Sequence, residues 1–199
     1  VDGTFDECQA RRKDLFNDHD FRDGVGRAGV NSINWARVVA QIVYYFTAAA
    51  SLGAPAREVD FTVPTGNFGD ILAGSFAKAM GLPIGRLIVA TNQNDILHRA
   101  LTCGEYRVGE THPSISPSMD IQVSSNFARA LWLAYGRDGT AVSQLMEELK
   151  SGGFTISQGA LQALQEDFTS GRVSEDETLD MIRTIRVETG EILCPHTAV

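Results

Sequence analysis

The sequence predicts an α/β fold, a parallel sheet flanked by helices, incomplete and with a helical elaboration toward the C-terminus. Apolar residues recur at helical spacing in several segments, short apolar or alternating segments stand between them, and glycine or proline separates the two kinds. In the first half the order helix, strand, helix, strand, helix implies parallel strands joined by helical crossovers.

Residues 4–22 read as a helix: Phe5, Cys8, Leu15 and Phe16 recur at roughly one-turn intervals, Thr4 is a suitable N-cap, and Asp23-Gly-Val-Gly26 breaks the run. Residues 31–50 read as a longer, apolar helix (Ile33, Trp35, Val38, Ile42, Phe46) closed by Leu52-Gly-Ala-Pro55. Val59-Asp-Phe-Thr-Val63 alternates as a short strand. A helix over 70–80, a strand over 84–90 and a short helix over 95–101 follow. Residues 102–126 are loop-like, with Pro113, Pro117 and several serines, and long loops in compact domains are often functional. Helices are predicted over 127–135, 142–149, 158–168 and 174–189. The last opens on Ser174-Glu-Asp-Glu177, a capping box. Glu191-Ile-Leu-Cys194 reads as a strand returning to the sheet. The expected organisation is an α/β part over 1–135, a helical elaboration over 136–190 and a return to the α/β part over 191–199.

Composition narrows the function class. The net charge of −8 argues against a nucleic-acid partner, which requires a basic face, so positive groups around any anionic ligand must be local. No apolar stretch is long enough to span a bilayer, which predicts no membrane association and a cytoplasmic protein. Cys8, Cys103 and Cys194 are odd in number and far apart, the pattern of reduced thiols with no metal site.

The run Val63-Pro-Thr-Gly-Asn-Phe-Gly-Asp70 sits where the strand turns into a helix. Gly66 and Gly69 can adopt positive φ and admit close backbone approach. Consecutive N–H groups of Gly66, Asn67, Phe68, Gly69 and Asp70, with the helix N-terminus, then form an anion cradle. Asp70 reads as the helix cap, because an acid beside a phosphate dianion would repel it. Spacing alone leaves ordinary turn chemistry equally open. The run is neither Gly-x-Gly-x-x-Gly nor a P-loop, which disfavours dinucleotides and nucleoside triphosphates.

Together with Asn31-Ser-Ile-Asn-Trp-Ala-Arg37 and Gln41-Ile-Val-Tyr-Tyr-Phe46, this run resembles the pyridoxal-phosphate-dependent threonine synthases, enzymes of fold type II. Gly3-Thr-Phe-Asp-Glu-Cys-Gln9, Ala90-Thr-Asn-Gln-Asn-Asp95, the segment from Pro117 to Asn126, and Cys194-Pro-His-Thr-Ala-Val199 are similar to family segments in the family's order. The resemblance implies a lyase of threonine biosynthesis that converts O-phospho-L-homoserine and water to L-threonine and phosphate. It also implies pyridoxal 5'-phosphate as cofactor, with its phosphate on residues 66–70. It places Asn31, Ser32 and Arg37 at a substrate-facing helix start. Ser116, Ser118 and Asp120, in a polar cluster continued by Ser124, Ser125 and Asn126, fall near substrate. Thr197 would set its hydroxyl against the pyridine nitrogen, where a neutral partner leaves the ring unprotonated. The family's Schiff-base lysine lies in a Phe-Lys-Asp context that this sequence lacks. Lys13, Lys78 and Lys150 sit in no comparable context. With Val1 at the start and Val199 inside a segment where the family continues, the chain reads as a fragment of a longer enzyme, inactive alone. Another eliminase of the same fold, such as a serine or threonine dehydratase, and an inert phosphate-binding core are the alternatives. His112 and His196 read as structural hydrogen-bonders; Tyr44, Tyr45, Trp35 and Trp132 read as core.

Overall fold

The computed structural model describes residues 5–26 and 34–199. Where one helix is predicted over 4–22, two occur, α1 (Phe5–Asn17) and α2 (His19–Gly24). Asp18 divides them. Its backbone is extended and its side chain accepts from the Phe21 N–H at 3.0 Å, so it caps a new helix. In the same way Asn34 caps α3 (Trp35–Ser51), accepting from the Ala36 N–H at 3.0 Å. The helix therefore starts later than position 31, and Thr4, Asn31 and Ser32 lie outside the described residues.

β1 (Val59–Pro64), α4 (Gly69–Ala79), β2 (Ile84–Thr91) and α5 (Ile96–Cys103) follow close to their predicted bounds. The second half holds β3 (Glu105–Arg107), α6 (Phe127–Ala134), α7 (Gly139–Lys150), β4 (Gly153–Thr155), α8 (Gln158–Asp167), β5 (Phe168–Arg172) and α9 (Glu175–Thr189). β1, β2 and β5 form a parallel sheet in that order, with β2 central and Val63 opposite Val89 opposite Ser170. Helices flank it, as predicted. The capping box at Ser174 and Glu177 is also present.

Two strand assignments change. The helix predicted over 158–168 stops at Asp167, and Phe168 turns extended (φ −121°, ψ 134°) to start β5. A run Phe-Thr-Ser-Gly-Arg has little intrinsic strand signal, so its pairing comes from the exposed edge of β2. Conversely, residues 191–194 form no strand, and a turn over 195–198 ends the chain. β3 and β4 make a separate antiparallel pair in which Tyr106 and Phe154 stack at 4.8 Å.

The core lies between the sheet and α3, α4, α5 and α6, with Ile71, Leu72, Leu87, Val89 and Leu131 fully buried. Among the aromatic residues expected inside, only Tyr45 is. Trp35, Tyr44 and Trp132 keep 47%, 56% and 41% of their surface exposed, although the Trp35 ring also packs edge-on to Phe76 at 5.2 Å. Tyr45 packs edge-on against Phe61 at 4.9 Å and lies directly over Gly74 of α4. A Cβ at Gly74 would stand 2.6 Å from the Tyr45 ring and 2.9 Å from Leu87. Neither is a flexible chain end free to yield, so Gly74 sets the distance between α3, α4 and β2. Gly74→Val is expected to destabilise the fold by about 1–3 kcal/mol through overpacking, read as a lower urea midpoint with an unchanged slope.

A candidate phosphate-binding cleft

The loop from Pro64 to Asp70, the α3 residues Arg37 and Gln41, and Ser118 line a cleft of about 470 Å³ at the carboxyl end of β1. This is where open parallel sheets bind ligands. Its floor is built from backbone. The main-chain N–H groups of Gly66, Asn67, Phe68, Gly69 and Asp70 have no acceptor among the described residues, whereas Thr65 N–H is fixed to Ala90 O at 2.8 Å. The Gly66 carbonyl accepts from the Ser124 hydroxyl at 2.8 Å. The Asn67 carbonyl accepts from Asn126 twice, from its N–H at 3.1 Å and its side-chain amide at 3.0 Å. The Asn67 side chain receives the Ser125 hydroxyl at 3.0 Å.

Positive φ falls on Phe68 (62°), not on Gly66 or Gly69. That residue is 1% exposed, its ring edge-on to Phe127 at 5.2 Å and Phe168 at 5.1 Å. Gly66 is required for a different reason: a Cβ there would lie 2.9 Å from Ile121 Cδ1, 3.1 Å from Ser118 O and 3.3 Å from Met119 Cα.

Asp70 does not cap α4. Phe68 holds the N-cap position without a side-chain bond, and Asp70 stands in the first turn with Oδ1 buried and, like Gln41 Oε1, without a partner among the described residues. Its main-chain carbonyl accepts from the Tyr45 hydroxyl at 3.0 Å, and burial pushes that phenol well up, so it stays a donor. Burial likewise pushes the Asp70 carboxyl above the ordinary carboxylate range.

The polar loop nominated from sequence divides. Ser118 is exposed and lines the cleft. Ser116 and Asp120 do not line it; they belong to a buried network behind it. Asp120 Oδ1 accepts from the Asn92 and Asn94 amides at 2.9 and 3.0 Å and from the Ser114 hydroxyl at 2.6 Å, while Oδ2 accepts from Ser114 N–H at 2.9 Å. Asn92 also donates to Ser116 Oγ at 2.9 Å. A buried carboxylate needs donors, and these four donors account for its burial. Asn92 and Asn94 therefore anchor the loop to the end of β2. Their place after a strand is visible in sequence, but their partners are not.

At the C-terminus, His196 Nε2 accepts from Ser118 N–H at 3.2 Å, which brings the final turn against the cleft wall. Thr197 is exposed, its hydroxyl 3.2 Å from Cys194 Sγ, and is not among the lining residues. Arg37 is exposed and lines the cleft. Lys78 pairs with Asp167 at 3.3 Å, Lys150 pairs with Glu147 at 2.6 Å, and Lys13 is exposed on α1. None of the three lines the cleft. Among the described residues no helix is long and apolar enough to cross a membrane.

The chain aligns over its whole length with threonine synthase of Pseudomonas aeruginosa, at 50% identity over 200 residues and 43% of that protein's length. The threonine synthase of Saccharomyces cerevisiae matches at 47% identity over 216 residues, again with all of this chain and 42% of the relative. The crystal structure of the PLP-bound threonine synthase from Brucella melitensis superposes with a TM-score of 0.91 at 56% identity, covering 99% of this chain and 43% of that one. The chain is a threonine synthase homologue along its entire length. It spans about two fifths of the threonine synthases it matches. No family model matches it.

Because Asp70 is more basic in the native than in the unfolded chain, the folded state takes up its proton first as pH falls. Its contribution to stability is then lost as pH rises through the native pKa. Asp70→Asn should thus be more stable than the parent at about pH 7, with the difference disappearing below about pH 4, the ordinary carboxylate value. Urea midpoints of the ligand-free proteins at both pH values check this.

Proposed function

We propose that this chain supplies the cofactor-phosphate cradle and part of the substrate pocket of a threonine synthase, which converts O-phospho-L-homoserine and water to L-threonine and phosphate with pyridoxal 5'-phosphate. The observation that carries the reading is the row of N–H groups at residues 66–70, all on cleft-lining residues and without acceptors among the described residues, with a first helical turn beneath them. Such a row fits a phosphate, since neutral donors and a helix N-terminus bind a dianion without a basic surface. The Gly66 position fits it too, because any side chain there would displace the loop from Ser118 and Met119.

In this reading the main chains of Gly66, Asn67, Phe68, Gly69 and Asp70 hold the cofactor phosphate. When bound, the cofactor supplies an electron sink for proton loss from the substrate carbons and for departure of the γ-phosphate. Arg37 offers a guanidinium at the cleft for a substrate anion, and Ser118 offers a hydroxyl. Asn31 and Ser32, outside the described residues, are proposed at the same helix start. Thr197 remains the proposed partner of the pyridine nitrogen, reached through the turn that His196 anchors to Ser118. The pairing of Lys78 and Lys150, and the exposure of Lys13, support a Schiff-base lysine contributed from outside this chain.

In the intact protein, Gly66→Val should weaken pyridoxal phosphate binding more than tenfold, about 1.4 kcal/mol, by spectroscopic titration. Unchanged affinity would exclude the cradle. Incubation of this chain alone with the cofactor, followed by borohydride and peptide mapping, should label none of Lys13, Lys78 and Lys150. The chain should release no phosphate from phosphohomoserine. Stoichiometric labelling of any of the three would put the lysine in this chain.

A further inference from the structure

The geometry points to Ser124 and Asn126 as positioning residues that aim the phosphate cradle. The inference rests on the reading of residues 66–70 as a phosphate site. In a planar trans peptide the N–H points opposite to the C=O, so holding a carbonyl fixes the direction of the next residue's N–H. Ser124 Oγ holds the Gly66 carbonyl at 2.8 Å and thereby sets the Asn67 N–H. The backbone N–H and side-chain amide of Asn126 hold the Asn67 carbonyl at 3.1 and 3.0 Å and thereby set the Phe68 N–H. Both N–H groups are turned away from the 124–126 segment, and neither meets an acceptor among the described residues.

The two holding groups are themselves held. Ser124 is 6% exposed, and its N–H donates to the Tyr106 hydroxyl at 2.7 Å. Asn126 is fully buried. Its side-chain oxygen accepts from the Arg129 guanidinium, which has only donors, so the amide nitrogen is the end left to face Asn67. Arg129 in turn lies over the Trp35 ring, 5.5 Å from its centroid. Thus the direction of two cradle donors is set from the segment that leads into α6, distant in sequence from the loop that carries them. Without these bonds the loop would still close, since Phe68 and Gly66 fix its path, but the two peptide planes would lose the contacts that fix their tilt.

The test compares two ligands that differ only in the phosphate. Pyridoxal 5'-phosphate and pyridoxal are titrated into the intact parent protein and into Ser124→Ala, Ser124→Thr and Asn126→Ala, with thermal unfolding of each followed in parallel. Ser124→Ala and Asn126→Ala should each lose about tenfold in affinity for pyridoxal phosphate, ~1.4 kcal/mol, while pyridoxal affinity stays within about twofold. Ser124→Thr, which keeps the hydroxyl, should restore the phosphate preference. Equal losses for both ligands, or no loss for either, would overturn the positioning role while leaving the cradle intact. A parent protein that binds pyridoxal as tightly as pyridoxal phosphate would instead overturn the cradle itself. If Asn126→Ala unfolds, the Ser124 pair decides the matter alone.

Discussion

Phe68 holds a left-handed backbone at φ 62° because its ring is wedged between Phe127 and Phe168. A bulky residue in that region costs on the order of 1–3 kcal/mol. Burial of the ring contributes about 1.5–3 kcal/mol, and each edge-on aromatic contact adds roughly 0.5–1.5 kcal/mol, so the packing outweighs the strain. The consequence is geometric: the chain turns from β1 into α4 through a loop whose N–H groups at 66–70 meet no acceptor among the described residues. The cleft depends on this one wedge, and the wedge draws on β1, α6 and β5 together.

Two aspartates near the cleft show opposite solutions to burial. Asp120 is surrounded by donors from Asn92, Asn94 and Ser114, which stabilise the carboxylate and tie the loop after β3 to the end of β2. Asp70 has a buried oxygen with no donor among the described residues, and burial pushes its carboxyl up accordingly. Asp70 belongs to the row of main-chain donors and shares the cleft lining with Gln41, whose Oε1 is likewise a buried acceptor without a partner among the described residues. A cleft that offers neutral N–H groups and the Arg37 guanidinium in its lining can attract an anion even though the chain carries a net charge of −8.

The sequence by itself determined the alternation of helices and strands through Asp95, the glycine loop at the first strand-to-helix turn, the capping box at Ser174 and the likeness to threonine synthase. Each is a local signal: apolar period, a glycine pair, a cap at fixed offset, or a string of short motifs in order. Tertiary structure decided the rest. β5 is a strand only because β2 has an edge to pair with, and its own residues carry no strand pattern. Positive φ went to Phe68 and not to a glycine, because two rings distant in sequence hold it there. Asp120 and Ser116 are joined into one buried network because Asn92 supplies donors from across the loop. Likewise, no local pattern could tell that Ser124 and Asn126 hold the carbonyls of Gly66 and Asn67, since those partners lie nearly sixty residues away and hydrogen bonds of that span are written only in the folded chain.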